Sequence, residues 1–222
     1  MIPAVEWHQE IISATASLLL LTSFGLLAQH RMSSVLNLYA IQGIVLAGTT
    51  AFVGYTAGRH ELYISAILTL ALKGILLPWL LWKIIRELKV HREVEPFVNM
   101  PTTMLIALAL VIFSFAVSLP LERISTLLTR NTLAIATATL FLSMLMMITR
   151  KKAITQVIGF LAIENSVFFA AIGATYGMPM VVELGVAFDV LIASLIFTLF
   201  FFQIHSTFDS LDLEAMKKED TK

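Results

Sequence analysis

Seven uninterrupted apolar blocks run along this chain, at roughly 8–29, 33–57, 61–85, 100–120, 131–149, 153–176 and 180–205. That pattern constrains the fold more than any single residue does. A helix crossing a hydrocarbon core of about 30 Å needs about 20 apolar residues, and each block approaches or exceeds that length. A membrane barrel would instead show short segments of alternating polarity. The expected fold class is an all-α integral membrane protein with about seven transmembrane helices, forming a single transmembrane domain over 1–222. Composition agrees. Only 14% of residues are charged and 58% are hydrophobic, against about 25% charged in ordinary soluble domains.

Several function classes drop out. Formal net charge is zero, which gives no reason to expect nucleic acid as a partner. There are no cysteines, so disulfides and cysteine-ligated zinc or iron–sulfur clusters are excluded on this chain. The histidines form no ligand set, and there is no phosphate loop, dinucleotide fingerprint or nucleophile–base constellation. The expectation is no catalytic site, no metal and no cofactor on this chain. The N-terminal stretch MIPAVEWHQEII lacks a basic n-region, so the first block is expected to stay as an anchor.

Positive charge sets the expected orientation. Alternating loops carry eleven Lys and Arg on one side (Arg31; Lys83, Arg86, Lys89, Arg92; Arg150, Lys151, Lys152; Lys217, Lys218, Lys222) and three on the other (Arg59, Arg123, Arg130). The C-terminus and the loop KIIRELKVHREVEPFVNMP are therefore expected in the cytoplasm and the N-terminus outside. An even number of spans would spoil this asymmetry. The loop is expected to extend the third helix until Pro96 stops it, and 206–222 reads as a polar cytoplasmic tail.

Segment 31–58 also lies over 150–177 without gaps, with Arg31, Ile44, Ala51, Gly54, Thr56 and Gly58 matching Arg150, Ile163, Ala170, Gly173, Thr175 and Gly177. Read as a repeat, the overlay gives two parallel three-helix units, 8–85 and 131–205, joined by a connector helix at 100–120.

Ionisable groups inside the apolar blocks are the candidate site. Each costs roughly 2.5–3.5 kcal/mol at bilayer depth on insertion scales, and such residues are functional-site hypotheses by default. Glu164, followed by Asn165, lies about 18 Å past Lys152 along its helix. Asp189 lies about 21 Å before Gln203, and Lys73 about 15 Å before Lys83. All three fall in the central layer. One reading is a proton relay of carboxylates and a lysine linked by water. The other is a structural ion pair, Lys73 with Asp189 or Glu164, that pins helix packing. Glu183, near the outer end of its helix beside Gly185, is either the mouth of a pathway or a first-turn carboxylate favoured by the helix dipole. Pro78 removes the hydrogen bond to the carbonyl of Gly74, next to Lys73. The freed carbonyl is a place for water, or the proline serves packing alone.

The segments IGFLAIENS, YGMPMVVELGVAFDVLIA and TFDSLDLEAMK, together with ISAILTLALKGILLPWLL around Lys73 and Pro78, resemble the component E family of hydrogenase-4-type membrane complexes. The C-terminal half is in turn similar to subunit K of complex I and to the small subunit of multisubunit sodium/proton antiporters. In those proteins two membrane glutamates belong to the proton route. Here the matching positions are Leu161 and Ala193, while Glu164 lies three residues on and Asp189 four residues back. Steps of three and four keep a side chain on nearly the same helix face, which describes a shifted relay. Under the internal overlay Leu161 and Ala193 correspond to Gln42 and Lys73, so the first unit gains a second polar station there.

The resemblance implies a membrane subunit of a hydrogenase-like, complex I-like oxidoreductase in a bacterial or archaeal cytoplasmic membrane. Proton or sodium movement would be coupled to electron transfer. It implies two kinds of membrane partner, antiporter-like subunits and a counterpart of the H-type membrane subunit of complex I. It also implies peripheral hydrogenase and iron–sulfur subunits that hold the redox centres. The residues expected to carry the ion are Glu164, Asp189 and Lys73, then Glu183, Asn165 and Gln42. Two other readings stand beside this one: a subunit of a cation/proton antiporter with no redox partner, and a passive scaffold between larger translocating subunits.

Overall fold

The structure, a computed structural model, describes residues 3–87, 98–121 and 130–175 and the positions 185, 188, 191 and 192. The chain divides into two compact units, Met1–Val186 and Ala187–Lys222. In the second, the described residues Phe188, Leu191 and Ile192 are helical.

The first unit is helical throughout its long described segments. Its elements are α1 (Pro3–Ala28), α2 (Met32–Ala57), α3 (Glu61–Thr69), a π-helical stretch Leu70–Leu76, α4 (Leu77–Glu87), α5 (Met100–Leu121), α6 (Arg130–Thr149) and α7 (Ala153–Thr175). Helix α3, the π stretch and α4 are continuous and act as one span. Among the described residues six helices are long and apolar enough to cross a membrane, and their bounds match the first six apolar blocks. The seventh block, 180–205, lies almost wholly outside the described residues, as do the Pro96 loop segment and the tail.

Helix α1 packs against α2, α5 and α6, α6 packs along α7, and α2 touches α3, the π stretch and α7. Small residues permit these approaches. A Cβ on Gly159 of α7 would stand 3.0 Å from the backbone nitrogen of Met147 on α6, so the two helices meet nearly backbone to backbone there. Several buried hydroxyls donate to carbonyls of their own helices. Thr50 donates to the Leu46 carbonyl at 2.8 Å and Thr149 to that of Leu145 at 2.7 Å. This is the usual way for a serine or threonine to sit in an apolar helix. The outward faces carry exposed Leu21, Ile64, Ile67, Leu105, Ile112 and Ile148, as expected where the solvent is lipid. Helix α2 ends at Gly58, whose φ of 65° lies in the left-handed region that favours glycine.

One loop cation is folded inward. Arg150, between α6 and α7, is only 1% exposed. Its Nη2 donates to the carbonyls of Leu27 and Gln29 at the end of α1, where the helix dipole favours a cation. Burial pulls its guanidinium pKa below the ordinary value, and an arginine still holds its charge there. A lysine's compact ammonium on its shorter stem would not stand where this terminal nitrogen does. Arg150→Lys should therefore lower stability by about 1–2 kcal/mol, read as a drop in the thermal midpoint of the purified protein. An unchanged midpoint would mean that the contact contributes nothing.

Candidate functional site

The site begins with the winding of the third span. In an α-helix the Leu77 N–H would bond the Lys73 carbonyl, but here it bonds that of Leu72, five residues back. The next residue, Pro78, has no N–H for the Gly74 carbonyl and its ring crowds that oxygen. A wider π turn immediately before the proline relieves the crowding, and such turns are frequent at functional sites. The expected irregularity at Gly74 is thus a whole π segment centred on Lys73.

Helix α2 lies against this segment and presents Gly43 to it. A Cβ on Gly43 would fall 2.7 Å from the Lys73 carbonyl carbon and 2.9 Å from the Gly74 nitrogen. No side chain fits, so the two backbones touch. The lysine side chain is fully buried, at 0% exposure, and reaches α7. Its Nζ lies 2.6 Å from Oε2 of Glu164, whose side chain is 8% exposed. The same Nζ sits 4.9 Å from the ring centroid of Phe168. Glu164 and Phe168 are four residues apart and stack on one face of α7.

A second polar chain starts at the neighbouring residue. Asn165 Nδ2 donates to Gln42 Oε1 at 3.5 Å, Gln42 Nε2 donates to Ser23 Oγ at 2.9 Å, and Ser23 Oγ donates to the Leu19 carbonyl at 2.9 Å. All three side chains are 1% exposed. Asn165 Oδ1 and Thr69 Oγ1, the latter four residues before Lys73, have no hydrogen-bond partner among the described residues. A buried acceptor left bare is costly, by about 1–3 kcal/mol, and in a native site it marks a place for water or for a group that changes protonation.

Of the residues expected to carry the ion, the structure brings Lys73 to Glu164 and Asn165 to Gln42. Asp189 and Glu183 lie outside the described residues. Sequence reasoning missed Ser23, Gly43, Thr69 and Phe168. Gly43 and Phe168 look like ordinary members of apolar helices, and Ser23 like any intramembrane serine. Among the described residues no group of three or more histidine or acidic side chains gathers at metal-binding distance.

This arrangement can hold a charge in an apolar interior, and it can pass a proton between a carboxylate and an ammonium in direct contact. The amide chain extends hydrogen bonding from α7 through α2 to α1. Two of the described spans meet at the ion pair and three at the polar chain; polar links of this kind fasten membrane helices together and also mark functional sites.

Comparison with known proteins gives relatives along nearly the whole chain. An uncharacterised protein of Mycobacterium tuberculosis is 29% identical over 209 residues, covering 94% of this chain and 95% of that protein. Hydrogenase-4 component E of Escherichia coli is 22% identical over 210 residues, covering 93% of this chain and 97% of that protein. The Shigella flexneri hydrogenase-4 component E matches to the same extent. No family model matches the chain. No solved structure matches it. The chain is a multi-pass helical membrane protein with distant similarity to hydrogenase-4 component E over almost its full length.

Proposed function

We propose that this chain is a membrane subunit of a hydrogenase-4-type, complex I-like oxidoreductase, and that it forms part of a proton or sodium path coupled to electron transfer. The observation that carries the proposal is the Lys73–Glu164 pair, 2.6 Å apart and almost fully shielded from solvent. Similarity to hydrogenase-4 component E over 93% of the chain supports the choice of complex. The membrane partners are antiporter-like subunits and a counterpart of the H-type membrane subunit of complex I. Peripheral hydrogenase and iron–sulfur subunits supply the redox chemistry. The eleven-to-three split of loop cations supports a seven-helix layout in a bacterial or archaeal cytoplasmic membrane, N-terminus outside and C-terminus inside.

The mechanism follows from contact. A proton reaching Glu164 forms an O–H bond, cancels the carboxylate charge and removes its ionic attraction for the Lys73 ammonium. A neighbouring charge change in another subunit then decides whether the proton stays or moves on. Asn165, whose Oδ1 has no partner among the described residues, accepts from water beside Glu164, and the hydrogen-bonded chain continues through Gln42 to Ser23. Asp189 and Glu183 are further stations. The packing of α1 on α6 and of α2 on α7 supports the two-repeat layout, because the overlay makes those helices equivalent.

The direct test is purification of the tagged chain from native membranes in mild detergent, followed by reconstitution into liposomes. The expected result is co-purification with hydrogenase-like and iron–sulfur subunits, and proton uptake that requires an electron donor. Co-purification with antiporter subunits alone, and cation/proton exchange that ignores electron donors, would replace this reading with the antiporter one.

A further inference from the structure

Phe168 has no polar atom in its side chain, yet it is built into the charged centre. Its ring lies 4.9 Å from the Lys73 ammonium, on the same face of α7 as Glu164 and one turn further on. The side chain is 4% exposed. On another side the ring is backed by Gly185, where a Cβ would stand 2.5 Å from Cδ2 and 2.7 Å from Cε2. Only a glycine lets that backbone come up against the ring. The ammonium therefore has two neighbours of different kinds, a carboxylate whose charge vanishes on protonation and a ring face whose quadrupole does not.

We propose that Phe168 is a positioning residue that acts as a second, permanent seat for the Lys73 ammonium. With Glu164 ionised, the lysine is held mainly by the carboxylate. Once a proton binds to a Glu164 oxygen, that attraction is gone and the ring face holds the ammonium in place. The lysine stays cationic and near Glu164, ready to attract the carboxylate again when the proton leaves. No electron moves in this step, and the proton comes from the path described above, so the inference rests on that reading of function. In a site shielded from bulk solvent the quadrupole of a ring counts for more than at an exposed surface. Leucine or methionine fills much of the same volume without offering one.

The test compares Phe168→Leu, Phe168→Met and Phe168→Tyr in the intact complex, in the native background and in the charge-free background Lys73→Met/Glu164→Met. In the native background Leu and Met should lower the folded fraction near the unfolding midpoint about tenfold, while Tyr stays within about threefold. In the charge-free background the penalty for Leu and Met should shrink to about threefold or less, since there is no ammonium to seat. Equal penalties in both backgrounds would overturn the proposal and make Phe168 a packing residue.

Gly185→Ala, which pushes on the ring, should reproduce part of the Leu effect in the native background only. An equal Gly185→Ala effect in both backgrounds counts against the seat. Redox-driven proton uptake in liposomes gives the second readout: Leu and Met should slow it at least fivefold and Tyr should not. Uptake that follows side-chain volume and ignores aromaticity would also overturn the seat. A native complex with no redox-driven uptake would overturn the reading of function instead, and the stability comparison would still decide on Phe168.

Discussion

Lys73→Met alone and Glu164→Met alone should each destabilise the protein by about 3–5 kcal/mol, while the two together should cost much less than either. The reason is the burial of the pair, with side-chain exposures of 0% and 8%. Removing one partner leaves the other as an uncompensated charge in a medium that cannot solvate it. Removing both leaves two apolar side chains of similar length in an apolar site. The cycle should thus show a coupling energy of several kcal/mol, far above the few tenths found between distant sites. Thermal or denaturant unfolding of the purified complex measures it. Additive single effects would mean that the two groups are solvated independently, and the buried pair would not be the centre of the site.

Gly43→Ala has the second largest expected effect. The added methyl would lie within 2.9 Å of three backbone atoms of the π segment, including the Lys73 carbonyl carbon and oxygen. A flexible side chain could swing away from it, but a backbone carbonyl held by its own helix cannot. The cost should fall at the upper end of the roughly 1–3 kcal/mol typical of overpacking. More informative than the magnitude is where the strain goes. Separating α2 from the π segment moves the Lys73 backbone, so ion-pair geometry and any activity that depends on it should fall together. A Gly43→Ala protein with normal stability and normal coupled uptake would mean that the α2–π contact does not position the lysine.

The spans were the most legible part of the sequence. Six of the apolar blocks coincide with membrane-length helices to within a few residues, because hydrocarbon thickness sets their length and little else competes. That Lys73 and Glu164 share a level could also be read, since rise per residue places both at similar distances along their helices, and the two side chains meet. Depth does not give direction around the helix axis, so Lys73 had two candidate partners in the same layer, Glu164 and Asp189. The π stretch turns Lys73 about its helix in a way that no α-helical wheel drawn from the sequence would reproduce. Its only local signals are Gly74 and Pro78, and the close approach of α2 to it depends on Gly43, on another helix. Gln42 came into view only through the internal overlay, and the structure gives it partners on either side, Ser23 and Asn165. Phe168 carried no signal, because an aromatic in an apolar run looks the same whether it faces lipid or an ammonium.

The two roles open to the ion pair, relay and structural pin, part company in the Lys73→Met/Glu164→Met complex. The pair is removed while the fold is expected to survive, so structure and transport can be read separately. The measurement is the number of protons taken up per electron by reconstituted complex. The account predicts an assembled complex that still transfers electrons and takes up protons at a ratio at least tenfold below that of the native complex. A native ratio in that double variant would contradict it and leave the chain a scaffold.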